Sequence, residues 1–364
     1  MRYSDMFCCR NCFADTEIKA IIDGYKTEGN CDFCGSHNVP VYEIGSDQTI
    51  AELFDGLLDI YSPISDLPDG FPRWKTDMIK NILSNNWNIF NLNNDNVYRL
   101  ITEICASRYK DQPELFDGPV GIKLSQDHDY LEEHSILKNY CWADFVDGIK
   151  RKNRFHSDYI NTDKLFTFLR CAVKSHRKGE VLFRSRICHN ETGYKRREMG
   201  PPPPNKAKGG RVNPTGISLL YLADEAETTL YEIRAGVYDY VTVGRFMLLK
   251  DIEVINLANI GRISPFIGID YGFDFTQYAM NIEHLKMIAQ EIAKPLRNDN
   301  TLDYLPTQYI SDYIRSKGYD GIEYGSTMRK QGFNLAVFDS NLFKCTSTKV
   351  YDIRSISYNY EPIL

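Results

Sequence analysis

The chain has 364 residues, of which 43% are hydrophobic and 25% are charged, and its formal net charge is -6. This composition is typical of a folded globular protein, and the acidic balance argues against a general nucleic-acid binder. No apolar run approaches the ~18 residues that a membrane span needs, and the first residues contain no apolar signal core. We therefore expect a cytoplasmic protein of about two or three domains with no membrane partner.

Two C-x-x-C pairs stand near the N-terminus, Cys9 with Cys12 and Cys31 with Cys34. This spacing lets two tight turns present four thiolates to one tetrahedral ion, as in a structural zinc ribbon. We predict such a zinc-ribbon-like segment over residues 1–45, with an architectural ion. Cys8 in place of Cys9, His37 as a fourth ligand, and a set of free buried cysteines are the alternatives.

Residues 46–178 carry apolar side chains at helical spacing and predict a helical domain. The predicted helices begin near Thr49 and continue over Asp77–Leu83, Asn96–Tyr109, His134–Asn153 and Thr162–Val173.

Arg151 and His156 in this region form an R-x4-H pair, the spacing found in HEPN-type ribonucleases. A solvated basic helix end, favourable to the helix dipole, accounts for the same residues. One spacing of two common residue types is weak support for RNA cleavage.

The C-terminal half changes to a mixed α+β pattern. The predicted strands are Val181–Arg184, Ile217–Ala223, Val241–Leu249, Ile252–Leu257, Gly321–Tyr324, Leu335–Phe338 and Thr348–Ile353. The predicted helices are Ala226–Arg234, Tyr278–Leu296 and Thr307–Lys317. Between the first two strands lies a basic, proline-rich loop, Glu191–Lys208, which would serve as a lid, a spacer or an inert connection.

The segment GGRVNPTG, residues 209–216, leads into an apolar strand and then a helix. Its glycines permit close backbone approach, and Arg211 presents a donor fork suited to phosphate or carboxylate. Asp224 and Glu227 predict a capping box on the following helix. Glu232 lies beside the buried stripe of that helix, where a carboxylate can be half-desolvated, although a surface glutamate is the ordinary alternative.

Two further groups of polar residues stand at strand ends. Arg184 and Arg186 end the apolar strand in LFRSR, and Ser326 follows the strand of DGIEYGS. An ion pair and an ordinary turn serine are the simpler explanations. We find no G-x-S-x-G, Walker or H-E-x-x-H motif, so these familiar hydrolase, nucleotide and zinc-protease signatures are excluded.

In this order the segments resemble the RES domain, a family named for Arg, Glu and Ser. The similar segments are LFRSR, GGRVNPTG, LLYLA, TTLYE, YLPTQYISDYIRSKGYDGIEYGS and GFNLAVF, which together span about residues 180–345. The preceding cysteine-rich and helical region resembles the HEPN/RES N-terminal domain that often accompanies such proteins. The resemblance thus implies a RES domain over residues 179–364, with a mixed α/β, ADP-ribosyltransferase-like split sheet.

The resemblance implies an NAD-consuming toxin or defence enzyme that cleaves the nicotinamide–ribose bond by hydrolysis or phosphorolysis. By the same resemblance, the catalytic residues are Arg184, Glu232 and Ser326. The cofactor-binding candidates are Arg186, Arg211, Tyr221 and Asn334. Family members usually carry an aromatic residue after the arginine of the GGR turn, where this chain has Val212.

Three other functions stay open. NAD could donate ADP-ribose to a protein target, the RES domain could be inactive within a zinc-binding and helical interaction protein, or the helical region could cleave RNA. The resemblance also implies a separately encoded antitoxin, Xre-type or other, and the sequence leaves self-association into a homo-oligomer open.

Overall fold

The computed structural model describes residues 6–294, 301–326 and 332–357, which form two compact units. The first contains the chain up to Cys141 together with Asp158–Phe168 and Arg262–Leu285. The second contains Trp142–Ser157, Leu169–Gly261 and the chain from Lys286 onward. The domain boundaries predicted at residues 45 and 178 stay predictions. The predicted domains follow one another along the sequence, whereas each compact unit combines several separated segments, so the two divisions cannot be compared directly.

The described residues form both helices and strands along the chain. The strands are β1 (Phe7–Cys9), β2 (Glu28–Gly29), β3 (Val39–Glu43), β4 (Ser62–Pro63), β5 (Asp77–Met78), β6 (Pro119–Gly121), β7 (Val173–His176), β8 (Val181–Cys188), β9 (Leu220–Ala223), β10 (Tyr240–Leu248), β11 (Ile252–Asn256), β12 (Gly321–Gly325), β13 (Phe333–Val337) and β14 (Phe343–Asp352). The helices are α1 (Thr16–Gly24), α2 (Thr49–Leu58), α3 (Ile79–Asn81), α4 (Asn94–Ile104), α5 (Ala106–Asp111), α6 (Glu114–Asp117), α7 (His128–His134), α8 (Trp142–Asp147), α9 (Thr162–Cys171), α10 (Ala226–Glu232), α11 (Gly268–Tyr271), α12 (Phe275–Ala293) and α13 (Leu305–Ser316). In this part of the chain no helix is both long and apolar enough to cross a membrane.

The first unit joins two small sheets to a set of helices. One sheet has the strand order β1-β3-β2 and the other β4-β6-β5, so the predicted helical domain is not purely helical. The prediction of one helix over His134–Asn153 is wrong, because α7 ends at His134 and α8 begins at Trp142. The side chain of Asn281 accounts for the break: it accepts from the N–H of Ile136 at 2.6 Å and donates to the carbonyl of His134 at 2.8 Å.

The second unit is built on an eight-stranded sheet with the order β14-β10-β8-β9-β13-β12-β11-β7. Its pairs are antiparallel except β11 with β12, which run parallel. A buried apolar cluster packs on it, with members from six strands such as Leu182, Leu222, Phe246, Val254 and Leu335. The mixed α/β character of the prediction is confirmed, and the ADP-ribosyltransferase-like split sheet stays a prediction.

The centre of this sheet is weakly joined. β8 and β10 are paired over eight positions, whereas β8 and β9 share the single pair Phe183 with Ala223. Helix α10 packs against β8 beside this junction, where the Ser185 and Thr229 hydroxyls are hydrogen bonded. Few ladder bonds at the junction leave room for side chains between β8 and β9.

The capping box predicted at the start of α10 is wrong. The residue that precedes the helix is Glu225, and its side chain does not cap the first turn. The carboxylate of Asp224 accepts instead from the Glu225 N–H and the Thr228 hydroxyl, both at 2.9 Å. A capping box would require the Asp224 carboxylate to accept from the amide of the third residue after it. Its hydrogen bond to the adjacent Glu225 amide competes with that contact.

Candidate active site

Arg184 lies on β8 next to the single residue pair that joins β8 and β9. Its Nη1 donates to the Tyr221 carbonyl at 3.2 Å, while its buried Nε has no hydrogen-bond partner among the described residues. Burial, and next the charge of Arg186, lower the pKa of Arg184 to about 10. Arg184 therefore remains a cation at neutral pH, with a donor free for an anionic ligand.

Glu232 is the last residue of α10, and its carboxylate is held at one oxygen. Oε1 accepts from Asn334 Nδ2 at 2.7 Å and from the Ser326 hydroxyl at 3.1 Å. Among the described residues nothing donates to Oε2. The carboxylate is thus oriented by β13 and the end of β12, and its second oxygen is available to a ligand.

Arg211 is held in the GGRVNPTG turn by contacts on two sides. Its Nη1 donates to the Ala293 carbonyl at 3.0 Å, and its guanidinium lies 5.3 Å from the centre of the Tyr324 ring. Burial alone would lower the pKa of Arg211, but Tyr324 and then Glu232 raise it above its ordinary value. A fixed, charged guanidinium therefore stands near the Glu232 carboxylate.

Three buried side chains of α13 hold the backbone of this turn. Thr307 donates to the Arg211 carbonyl and Ser311 to the Val212 carbonyl, both at 2.7 Å. Gln308 donates to the carbonyls of Gly210 and Asn213, at 2.7 and 3.0 Å. Four successive carbonyls of the turn are thus satisfied from a single helix.

These elements surround a cavity of about 300 Å³. Its lining combines cations, a carboxylate, amides and phenols, and includes Arg184, Arg211, Asn213, Tyr221, Glu232, Tyr304, Tyr324 and Asn334. Tyr221 is fixed there by donating to Asn213 Oδ1 at 2.5 Å. Two arginines beside one carboxylate suit a ligand that carries both phosphate and hydroxyl groups.

Residues 182–360 match the family model of the RES domain. This part of the chain is a RES domain. No curated protein sequence matches the chain. In the solved crystal structure of the M. tuberculosis MbcT-MbcA toxin-antitoxin complex, a matching chain is 12% identical and superposes with a TM-score of 0.32, over 52% of this chain and 94% of that one. A TM-score this low supports no conclusion about this protein.

The RES domain gathers most of the residues singled out in the sequence. Arg184, Arg211, Tyr221, Glu232 and Asn334 all line the cavity. The sixth, Ser326, reaches it through its bond to Glu232. Their catalytic and binding roles stay predictions.

Arg186 lies apart from this group. Its guanidinium stacks 4.1 Å from the centre of the Tyr194 ring and donates to the Glu198 carbonyl. It does not contribute to the cavity lining, so the structure gives no support to Arg186 as a ligand-binding residue.

Sequence reasoning missed several residues that shape the RES domain site. Thr307, Gln308 and Ser311 are 3%, 6% and 1% exposed, although their side chains are polar. The sequence feature that could have identified them is the presence of polar residues within the apolar stripe of a helix, at positions i, i+1 and i+4. Val212, the residue after the arginine of the GGR turn, is 1% exposed, and the ring beside Arg211 comes from Tyr324.

The N-terminal cysteines form a group that could hold a metal ion. The sulfurs of Cys9, Cys12, Cys31 and Cys34 all lie within 4.8 Å of one another, and the Cys9–Cys34 and Cys12–Cys31 distances are 3.4 Å. Sulfurs bound at ~2.3 Å to one tetrahedral ion would be about 3.8 Å apart, so this arrangement fits zinc. Neither Cys8 nor His37 belongs to the group.

Cys31 receives hydrogen bonds that favour its thiolate. The Cys12 thiol, and also the N–H groups of Cys34 and Phe33, lower the pKa of Cys31 to about 4. The thiolate is the form that binds metal. With four protein ligands such a site would be closed and architectural.

The R-x4-H pair fits the solvated helix end better than a nuclease site. Arg151 has a side chain that is 79% exposed and pairs with Asp147 at 3.0 Å. His156 is also exposed, and its described hydrogen bond is from its backbone N–H to Asn153. The HEPN assignment of the helical region stays a prediction.

Proposed function

We propose that the RES domain binds NAD in the cavity beside Glu232 and cleaves its nicotinamide–ribose bond. The observation that carries the proposal is the Glu232 carboxylate, oriented by Asn334 and Ser326 within a cavity that two arginines also line. Arg184 and Arg211 supply the donors that a pyrophosphate requires. The resemblance of the family motifs to NAD-consuming enzymes supports the same substrate.

In the proposed reaction the bond between C1′ of the ribose and the nicotinamide nitrogen breaks, and its electron pair leaves with nicotinamide. The ribose then carries an oxocarbenium-like positive charge, as in glycoside hydrolysis. The free oxygen of Glu232 accepts from a ribose hydroxyl and stabilises this charge. An acceptor oxygen bonds to C1′ and releases its proton.

The acceptor decides between three reactions. Water gives ADP-ribose, inorganic phosphate gives a phosphorylated ADP-ribose, and a protein side chain gives an ADP-ribosylated protein.

We infer that such activity makes the protein a toxin or defence enzyme, because NAD loss would harm the cell that makes it. A separately encoded antitoxin, Xre-type or other, is therefore the expected partner.

The test is to mix the purified full-length chain with NAD, with and without phosphate, and to follow products by mass spectrometry. We expect nicotinamide release, with the second product naming the acceptor. Glu232→Gln should lower turnover by about 100- to 1000-fold, as loss of a group that stabilises developing charge does.

The matched control is Glu227→Gln, which removes a carboxylate from the same helix at an exposed position outside the cavity. It should keep full activity, and circular dichroism should show both variants folded. Equal turnover in the two variants would contradict the role given to Glu232. Absence of nicotinamide with a folded wild-type protein would favour an inactive RES domain in an interaction protein.

A further inference from the structure

A second cavity adjoins the first along four shared lining residues. Its volume is about 300 Å³, and it shares Arg184, Lys208, Asn213 and Tyr221 with the cavity that contains Glu232. Lys206 contributes a further cation to its lining. Both volumes lie at the lower end of the range of about 300–1,000 Å³ typical of small-molecule sites.

The lysines of this second cavity stand on an anchored part of the proline-rich loop. The carbonyl of Ala207, between them, accepts from the Gly216 N–H at 3.0 Å, and the carbonyl of Lys208 accepts from Asn213 Nδ2 at 3.1 Å. Ala207 itself is 4% exposed. This end of the loop is therefore a wall of the cavity with a defined backbone.

The charges around the second cavity are unbalanced. Lys206 and Lys208 are exposed, and neither forms an ion pair within the part of the chain that the structure describes. Arg184 adds a third cation, with its buried Nε unpartnered there, and the lining contains no carboxylate. In a chain with a net charge of -6, three cations around one cavity favour an anion.

We propose that this second cavity is a phosphate subsite, formed by Lys206, Lys208 and the guanidinium group of Arg184. The proposal rests on the proposed function for the first cavity, since Arg184 lines both cavities. The phosphate would belong to the adenosine half of the dinucleotide, or it would be inorganic phosphate that serves as acceptor. Both sources require the same compact, multiply charged group.

The experiment measures binding of ADP and of inorganic phosphate to the full-length chain by isothermal titration calorimetry. The double variant Lys206→Met, Lys208→Met keeps the aliphatic stems and removes both charges. Arg197→Met is the control, because Arg197 is an exposed cation of the same loop that lines neither cavity. We expect the double variant to bind ADP about tenfold more weakly than the wild type. ADP binding by the wild type should also be more sensitive to salt than ADP binding by the double variant.

Weaker binding of ADP alone assigns the subsite to the nucleotide, and weaker binding of inorganic phosphate assigns it to the acceptor. Equal affinities in the double variant and in Arg197→Met for both probes would overturn the subsite, as would a wild type that binds neither. NAD turnover, measured separately, distinguishes the two proposals. If the double variant binds ADP more weakly but the wild type does not turn over NAD, the subsite stands and the proposed reaction is wrong. If the wild type turns over NAD but the double variant binds both probes normally, the subsite is wrong and the proposed reaction stands.

Discussion

The hydroxyl of Ser311 offers a test of how α13 holds the Arg211 turn. Ser311 is 1% exposed, and its Oγ donates to the Val212 carbonyl at 2.7 Å. In Ser311→Ala one oxygen is removed, and the buried Val212 carbonyl loses this donor. The substitution changes little volume, so the effect should come from the unsatisfied carbonyl.

The magnitude follows from that single group. A buried carbonyl without a partner costs roughly 1–3 kcal/mol, and a local opening free energy lowered by this amount corresponds to about 5- to 150-fold more opening. The Gly210 amide reports on the turn, because it donates to the Asn213 carbonyl at 2.8 Å. Hydrogen exchange of the Gly210 amide, measured by NMR or mass spectrometry, should accelerate by this factor.

Ser316→Ala on the same helix is the matched control. Its hydroxyl donates within the helix to the Tyr313 carbonyl, at an exposed position. Exchange at Gly210 should stay within about twofold of wild type there, since surface changes usually alter stability by less than 0.5 kcal/mol. The same Gly210 exchange rate in Ser311→Ala and Ser316→Ala would refute the argument that α13 side chains hold the turn.

Three further predictions concern other parts of the chain. Elemental analysis by inductively coupled plasma mass spectrometry should find about one zinc per chain in the purified protein. The zinc should be lost in Cys12→Ser and kept in Cys8→Ala. Burial lowers the pKa of His176, but Glu323 and Glu180 raise it overall above 6.5. The protonated His176 therefore contributes its full stabilisation below pH 6.5, and this contribution is lost as the pH rises through the raised pKa. The thermal midpoint of the wild type should fall as the pH rises from 6.5 through that pKa, whereas the midpoint of His176→Gln should not show this fall. Arg184→Ala should abolish NAD turnover, whereas Arg186→Ala should leave it within about twofold, and equal losses would contradict the separation of the two arginines.

The structure brings together candidate residues that lie far apart in the sequence, although their roles stay predictions. Arg184, Glu232 and Ser326 are separated by about fifty and about ninety residues, and the order of their motifs along the chain is what identifies them as candidates. The structure brings Glu232 and Ser326 to 3.1 Å and places Arg184 in the same cavity as Glu232. Ordered motifs carry this information because they retain residues that must converge in the fold.

Elements whose conformation depends on distant contacts were not predictable. The predicted helix over Thr162–Val173 ends too late and no strand is predicted after it, whereas α9 ends at Cys171 and Val173–His176 pairs with β11. Within this strand, His176 Nε2 and Lys174 Nζ contact the buried carboxylate of Glu323, at 3.0 and 2.7 Å. A sheet partner about eighty residues away thus overrides local propensity, which is a weak guide at strand edges.

The position of the cavity follows from a local failure of strand pairing. Between β8 and β9 the sheet has a single residue pair, so most backbone groups facing the junction need other partners. Arg184 supplies one such partner by donating to the Tyr221 carbonyl, and the same residue lines the cavity beside the junction. A strand that paired fully at this point would satisfy the same carbonyl from a backbone amide and would close the cavity. The arginine is therefore a structural partner of β9 and, in the proposed function, also a ligand-binding group. Replacing it should disturb the junction as well as anion binding.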